Sequence, residues 1–219
     1  MDSKAVSREI KQRIWASLKT IGFDTFTSRT AWRHGADTID VFNLQSFSKY
    51  DADVLGITTF SFRVNLGRYL AYIPPQWPPK IKAGKQVPEE HQCHFRGRLL
   101  PSLAILGSND TVWAIDEAGR NLPWCIQDIV NQLPKAMEWY ASMNNPADVL
   151  RILLYEKGDT PERHGFGRNP SPIRSYAAGY VALALGDRVT ATRLLQEAVD
   201  SKRFVHLFSS VEGAMYRAL

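Results

Sequence analysis

Seven side chains able to donate or accept hydrogen bonds recur at alternate positions in three stretches of this chain: Asn43 and Gln45, Arg63 and Asn65, and His94, Arg96 and Arg98. Alternate residues of an extended strand point to the same side of a sheet. If the three stretches are neighbouring strands, the seven share one donor-rich surface. Guanidinium forks match carboxylates and phosphates through paired hydrogen bonds. The surface therefore suits an anionic ligand or an acidic protein; without a ligand, it is a solvated face held by cross-strand contacts.

Other chemistry fails on spacing. His91, Cys93 and His94 lack the second ligand pair that a tetrahedral zinc site requires. Cys93 and His94 are adjacent and face apart on a strand, which removes a thiolate–imidazole pair. Cys93 shares its parity with Phe95 and Leu99, so a buried core thiol is expected. There is no phosphate-binding P-loop, Gly-x-Ser-x-Gly elbow or His-Glu-x-x-His helix, and Gly165-Phe166-Gly167 lacks the third glycine of a dinucleotide loop. Asp37 and Asp40 precede the Asn43 strand without the Glu-x-Lys that a metal nuclease needs. No catalytic residue, metal ligand or cofactor is expected, and an enzyme using His94 as acid or base ranks last. Trp77, set among prolines, reads as a packing plug. Phe60 and Phe62 fall on the apolar side of their strand and read as core, not as a base-stacking platform.

The elements that must position these residues follow from periodicity. Val6, Ile10, Ile14, Leu18 and Ile21 recur at helical spacing, which predicts a helix over residues 4–20. Phe23 to Arg33 has the composition of a first strand, and His34 to Asp37 makes a turn. Thr38 to Phe47 and Ile57 to Tyr72 read as long strands separated by a polar connection, Ser48 to Gly56. In the second, Phe60, Phe62, Val64, Leu66, Leu70 and Tyr72 take one face and Thr59, Ser61, Arg63, Asn65 and Tyr69 the other. Pro74 to Glu90 is expected to be a long loop. His91 to Leu100 and Thr111 to Asp116 read as further strands.

From Leu122 the pattern turns helical. The last third includes one tetratricopeptide-like pair, with Tyr176, Ala177, Tyr180, Val181 and Ala184 on one stripe and Ala191, Leu194, Leu195 and Ala198 on the next. A single copy cannot form a stacked array, so this pair is expected to pack on the sheet. The fold class is α+β: an N-terminal helix on an antiparallel sheet of about five strands, then an α-helical C-terminal third. The division is a helix-plus-sheet domain over 1–120 and a helical region over 121–219.

With 44% apolar residues the chain can bury a core without staples, and two lone cysteines suit a reducing compartment. No secretory signal or membrane span is visible, so a cytoplasmic location and no membrane partner are expected. The net charge of +5 permits an acidic protein or nucleic acid as partner. No basic run forms a tail.

Three segments carry a family resemblance: Ile39-Asp40-Val41-Phe42-Asn43-Leu44-Gln45-Ser46, Phe62-Arg63-Val64-Asn65-Leu66-Gly67 and Cys93-His94-Phe95-Arg96-Gly97-Arg98-Leu99. In that order, after a first helix, they resemble the bacterial proteins catalogued as domain of unknown function 4304, over roughly residues 1–140. The resemblance implies a bacterial origin and a shared sheet domain, and supplies no activity or catalytic residue. The expected function is a non-enzymatic protein-binding module, for example an immunity-type neutralising protein. The alternative is a nucleic-acid or phosphate-ligand binder using the Arg/His-bearing face.

Overall fold

The computed structural model describes residues 2–103 and 111–218. The chain opens with a continuous helical run. It is α-helical over Ser3–Glu9 (α1), π-helical over Ile10–Trp15 and α-helical again over Ala16–Thr20 (α2). Asp2 caps the start by accepting from the Ala5 amide at 2.7 Å. Val6, Ile10, Ile14 and Leu18 are fully buried. Their spacing keeps one apolar stripe on the sheet despite the wider turn.

Five antiparallel strands follow: Thr25–Phe26 (β1), Thr30–His34 (β2), Thr38–Ser46 (β3), Phe62–Leu70 (β4) and Phe95–Leu99 (β7), in the spatial order β1-β2-β3-β4-β7. The N-terminal helix, the five-stranded sheet and the C-terminal helices form the α+β architecture read from the sequence. Five local expectations need correction. Phe23 to Arg33 is a tight β1–β2 hairpin, with the Thr27 amide donating to the Thr30 carbonyl at 2.8 Å. The polar connection after β3 contains helix Lys49–Leu55 (α3), capped by Ser48. Only Ala52 of that helix is buried, so it leaves almost no apolar stripe to read. The proline-led segment holds a second hairpin, Lys80–Lys82 (β5) with Lys85–Val87 (β6). The third expected strand starts late, after a single 3₁₀ turn at Glu90–Gln92. Thr111 to Asp116 contributes an isolated bridge between Trp113 and Phe62 rather than a strand.

Among the described residues six further helices follow: Leu122–Asn131 (α4), Leu133–Ala141 (α5), Pro146–Tyr155 (α6), Pro172–Ala184 (α7), Arg188–Asp200 (α8) and Val211–Tyr216 (α9). α4 and α5 share one core with the N-terminal helix and the even-numbered side chains Phe42, Leu44, Phe62, Val64 and Leu66 of β3 and β4. The α7–α8 hairpin packs with α6 and α9 around Tyr176 and Tyr180, and this second core reaches the sheet through Leu70, Ile73 and Phe95.

A charged row runs across this covered face. The register places Arg33, Asp40 and Arg68 opposite one another on β2, β3 and β4. Arg33 holds the Asp40 carboxylate through Nε at 2.8 Å and Nη2 at 2.6 Å, and Arg68 Nη1 lies 3.3 Å from it. Arg68 also donates to the Tyr140 carbonyl, to Asn144 Oδ1 at 2.6 Å and to Thr38 Oγ1 at 3.1 Å. Tyr140 in turn donates its hydroxyl to the Val41 carbonyl at 2.7 Å. Removing one partner of such a buried set strands the others without water. Arg68→Met is therefore expected to lower unfolding free energy by about 3–5 kcal/mol in urea titration. Arg68→Lys, which keeps the charge and loses the fork, is expected to recover less than half of that. A loss near zero for Arg68→Met would show that the row carries no stability.

Candidate functional site

The opposite face of the sheet is built from the odd-numbered positions of β3 and β4. Ladder pairing aligns Thr30, Asn43, Asn65 and Arg98 in one row over four strands. Gln45 and Arg63 form the next row, and Trp32, Val41, Gly67 and Arg96 the row on the other side. Six of the seven residues singled out by spacing thus share a face: Asn43, Gln45, Arg63, Asn65, Arg96 and Arg98.

The central row is a hydrogen-bonded chain with one polarity. Arg98 Nε donates to Asn65 Oδ1 at 3.0 Å, and Asn65 Nδ2 donates to Gln45 Oε1 at 2.9 Å and Asn43 Oδ1 at 3.5 Å. Asn43 Nδ2 donates onward to Thr30 Oγ1 at 3.0 Å. Each amide is oriented by its neighbour, so the floor is rigid before anything binds. Above it the β5–β6 hairpin is pinned to β2, since Trp32 Nε1 donates to the Pro88 carbonyl at 2.8 Å and His34 Nε2 to the Gln86 carbonyl at 2.7 Å. Hairpin and floor enclose a cleft of about 540 Å³ whose walls include Lys80, Lys82, Glu89, Glu90 and His91. Lys80 pairs with Glu89 at 2.8 Å.

At the β4–β7 end the three arginines are less satisfied. None forms an ion pair among the described residues. Arg63 lies over the Phe47 ring at 5.0 Å, and its buried Nε has no hydrogen-bond partner among the described residues. Burial, followed by the nearby Arg98 charge, lowers the Arg63 pKa. Two guanidiniums that disfavour each other, one with an idle donor, make an anion-accepting corner.

His94 and Cys93 depart from the strand reading, because the 3₁₀ turn breaks the two-residue period. Cys93 was expected beside Phe95 and Leu99. It lies instead with Trp32, Val41, Tyr69 and Val87 on the polar-row side of the sheet. A Cβ on Gly67 would sit 2.6 Å from its sulfur, so the crossing needs glycine there. The thiol is buried and its pKa is raised well above the ordinary range, chiefly by desolvation, which leaves it a poor nucleophile. His94 does not join the amide row. Its Nδ1 accepts from the Leu70 amide at 3.0 Å, and its ring lies against Tyr69 with centroids 5.0 Å apart. Desolvation lowers its pKa to about 4, and no carboxylate orients it. At neutral pH the imidazole is uncharged and has no imidazolium proton to donate.

Neither a family model, a curated protein nor a solved structure matches the chain. Among the described residues no group of His, Cys, Asp or Glu is placed to hold a metal ion, and no helix is long and apolar enough to cross a membrane.

The sequence reading passed over Arg33 and Arg68, whose signal was a charged residue at a core-facing position on neighbouring strands. It also passed over Thr30, Lys80, Lys82, Glu89 and Glu90. The two lysines sit on β5, which has no apolar alternation to reveal it.

His94 gives a pH dependence. Its folded pKa lies below the ordinary 6.5, so the unfolded chain binds more protons between pH 6.5 and 4. Stability attributable to His94 is full above pH 6.5 and falls by about 3 kcal/mol as the pH drops through 4. In His94→Asn that component is expected to vanish from urea unfolding measured across the interval. An unchanged slope would show that His94 titrates alike in both states.

Proposed function

We propose that the chain is a binding protein, and that the sheet face around Arg63, Arg96 and Arg98 docks acidic side chains of a protein partner. The observation that carries this is the neighbouring like charges of Arg63 and Arg98, neither in an ion pair among the described residues. A partner carboxylate docked across the two guanidiniums would offset their repulsion. The ordered amides of Asn43, Gln45 and Asn65 would supply specificity next to it. Glu89 and Glu90 on the cleft wall favour discrete carboxylates over nucleic acid, whose unbroken run of phosphates would have to pass them. A neutralising role, as in immunity against a toxin, is the kind of activity that such a face supports.

Fluorescence anisotropy with a labelled hexaglutamate peptide and a labelled hexathymidine tests this. The peptide is expected to bind at low ionic strength, and Arg63→Gln with Arg98→Gln to weaken it at least tenfold, each lost charge-assisted bond costing about 1.5–3 kcal/mol. Peptide binding that is absent, or equal in the double variant, overturns the proposal. Tighter hexathymidine binding with a steep salt slope would replace it with the nucleic-acid reading.

A further inference from the structure

A second cleft, of about 410 Å³, opens on the far side of the 3₁₀ turn, between the end of β4, the proline-led segment and α7. Its chemistry differs from that of the polar row. Tyr69, Trp77, Phe166 and Tyr176 supply aromatic surface, and Pro74, Pro75, Ile173 and Ala177 add apolar wall. Among the described residues no Lys, Arg, Asp or Glu lines it, and its one exposed ionisable side chain, His91, lies 3.6 Å from Glu89.

Two polar groups on this lining have work left to do. Tyr69 is 2% exposed, and its hydroxyl makes no hydrogen bond among the described residues. His94 has spent Nδ1 on the Leu70 amide, which fixes the tautomer and leaves Nε2–H as a donor with no partner among the described residues. The two rings are in contact, with centroids 5.0 Å apart, so both donors come from one patch of the wall. Both stay uncharged at neutral pH, since burial raises the Tyr69 phenol to about 12 and lowers the His94 imidazole to about 4.

The walls are set in advance. Tyr176 donates its hydroxyl to the Pro74 carbonyl at 2.6 Å, tying α7 to the proline-led segment. Asp159 accepts from the Gly165 amide at 2.9 Å and the Phe166 amide at 3.1 Å, and Phe166 meets Phe95 edge-on at 5.0 Å. Gly165 has φ of +146°, and a Cβ there would come 2.1 Å from the His94 carbonyl, so this wall closes on His94 only with glycine. Trp77, 74% exposed, stands on the lining rather than plugging a core. A pre-formed, mainly aromatic cleft with a few convergent donors is the ordinary form of a small-molecule site.

We propose that this cleft binds an uncharged planar molecule bearing a carbonyl or ring-nitrogen acceptor. The ring would lie among Trp77, Phe166 and Tyr176, and the acceptor would take the hydrogens of Tyr69 and His94. The lining carries no fixed charge, and the guanidinium beside it, Arg217, is engaged by the Pro75 carbonyl at 3.1 Å and by Tyr176, so anions and cations are both disfavoured. This site is separate from the arginine corner, and neither proposal depends on the other.

The probes are benzamide, benzoate and benzylamine, titrated into the full chain and followed by ligand-observed NMR and by fluorescence, with Trp77→Phe identifying the indole signal. Benzamide is expected to saturate at about millimolar concentration, as suits a fragment of this size, and to bind at least fivefold tighter than either ion. Tyr69→Phe and His94→Asn are each expected to weaken benzamide about threefold to tenfold. Tyr69→Phe removes a hydroxyl without a protein partner, so its melting temperature should match the parent chain. His94→Asn retains an acceptor for the Leu70 amide, and circular dichroism checks its fold. No saturable benzamide binding, binding of either ion as tight as that of benzamide, or undiminished benzamide binding in both variants overturns the proposal.

Discussion

The Asp40 carboxylate, held between Arg33 and Arg68 on the covered face of the sheet, is the contact on which the rest of the structure depends. Burial raises the Asp40 pKa, against the pull of the two guanidiniums. Removing either neighbour leaves the cost of burying that carboxylate less compensated. Arg33 extends the contact to the end of the N-terminal helix through the Ile21 carbonyl at 3.3 Å, and to the rings of Phe23 and Tyr140. Arg68 extends it to the Tyr140 carbonyl and to Asn144, beyond the end of α5. One row of charge thus locates two helical segments on three strands. A hydrophobic row of equal volume could pack as well. It would not specify which strand position meets which, because apolar contacts lack direction.

That specification has a consequence on the other side of the sheet. A slip of β4 by one residue against β3 would turn every β4 side chain to the opposite face. It would expose Arg68 and bury Asn65 against the helices. The row Thr30–Asn43–Asn65–Arg98 therefore exists in its observed order because the Arg33–Asp40–Arg68 row excludes the neighbouring register. The polar row adds direction of its own, since each amide hydrogen in it points toward β2. The two rows are one pairing scheme seen from its two faces.

The strands at the centre were legible because each has a clear two-residue period. In β4, Phe62, Val64 and Leu66 against Arg63 and Asn65 needed no tertiary information. Elements at the edges were not legible, each for a definite reason. α3 buries only Ala52, and Lys80–Lys82 is exposed throughout, so hydrophobic periodicity had nothing to report. There the signal was in the turn, where Ala83 and Gly84 both take positive φ between paired lysines. The Glu90–Gln92 turn misled in another way. Its capping box, with Glu89 and Gln92 each holding the other's amide, inserts a helical step where a strand was read. Parity counted through it placed Cys93 on the wrong face and put His94 with the arginines.

The same turn sets the electrostatic character of the two clefts. On one side the chain presents lysines, glutamates and three arginines over a polar floor, so the surface is wet and a bound group competes with water for charged partners. On the other side the proline-led segment and α7 close over aromatic rings, and burial holds Tyr69 and His94 in the wall neutral. Hydrogen bonds there are few, and each left unmade costs more. His94 shows how little separates the two: it lies two residues from Arg96, the same strand parity away from the charged corner. The bond from Leu70 to its Nδ1 and the contact with Tyr69 turn the imidazole out of the cationic surface and into the aromatic one. A residue type suited to titrate near neutrality is thereby held uncharged by burial and fixed as an Nε2–H donor by its backbone partner.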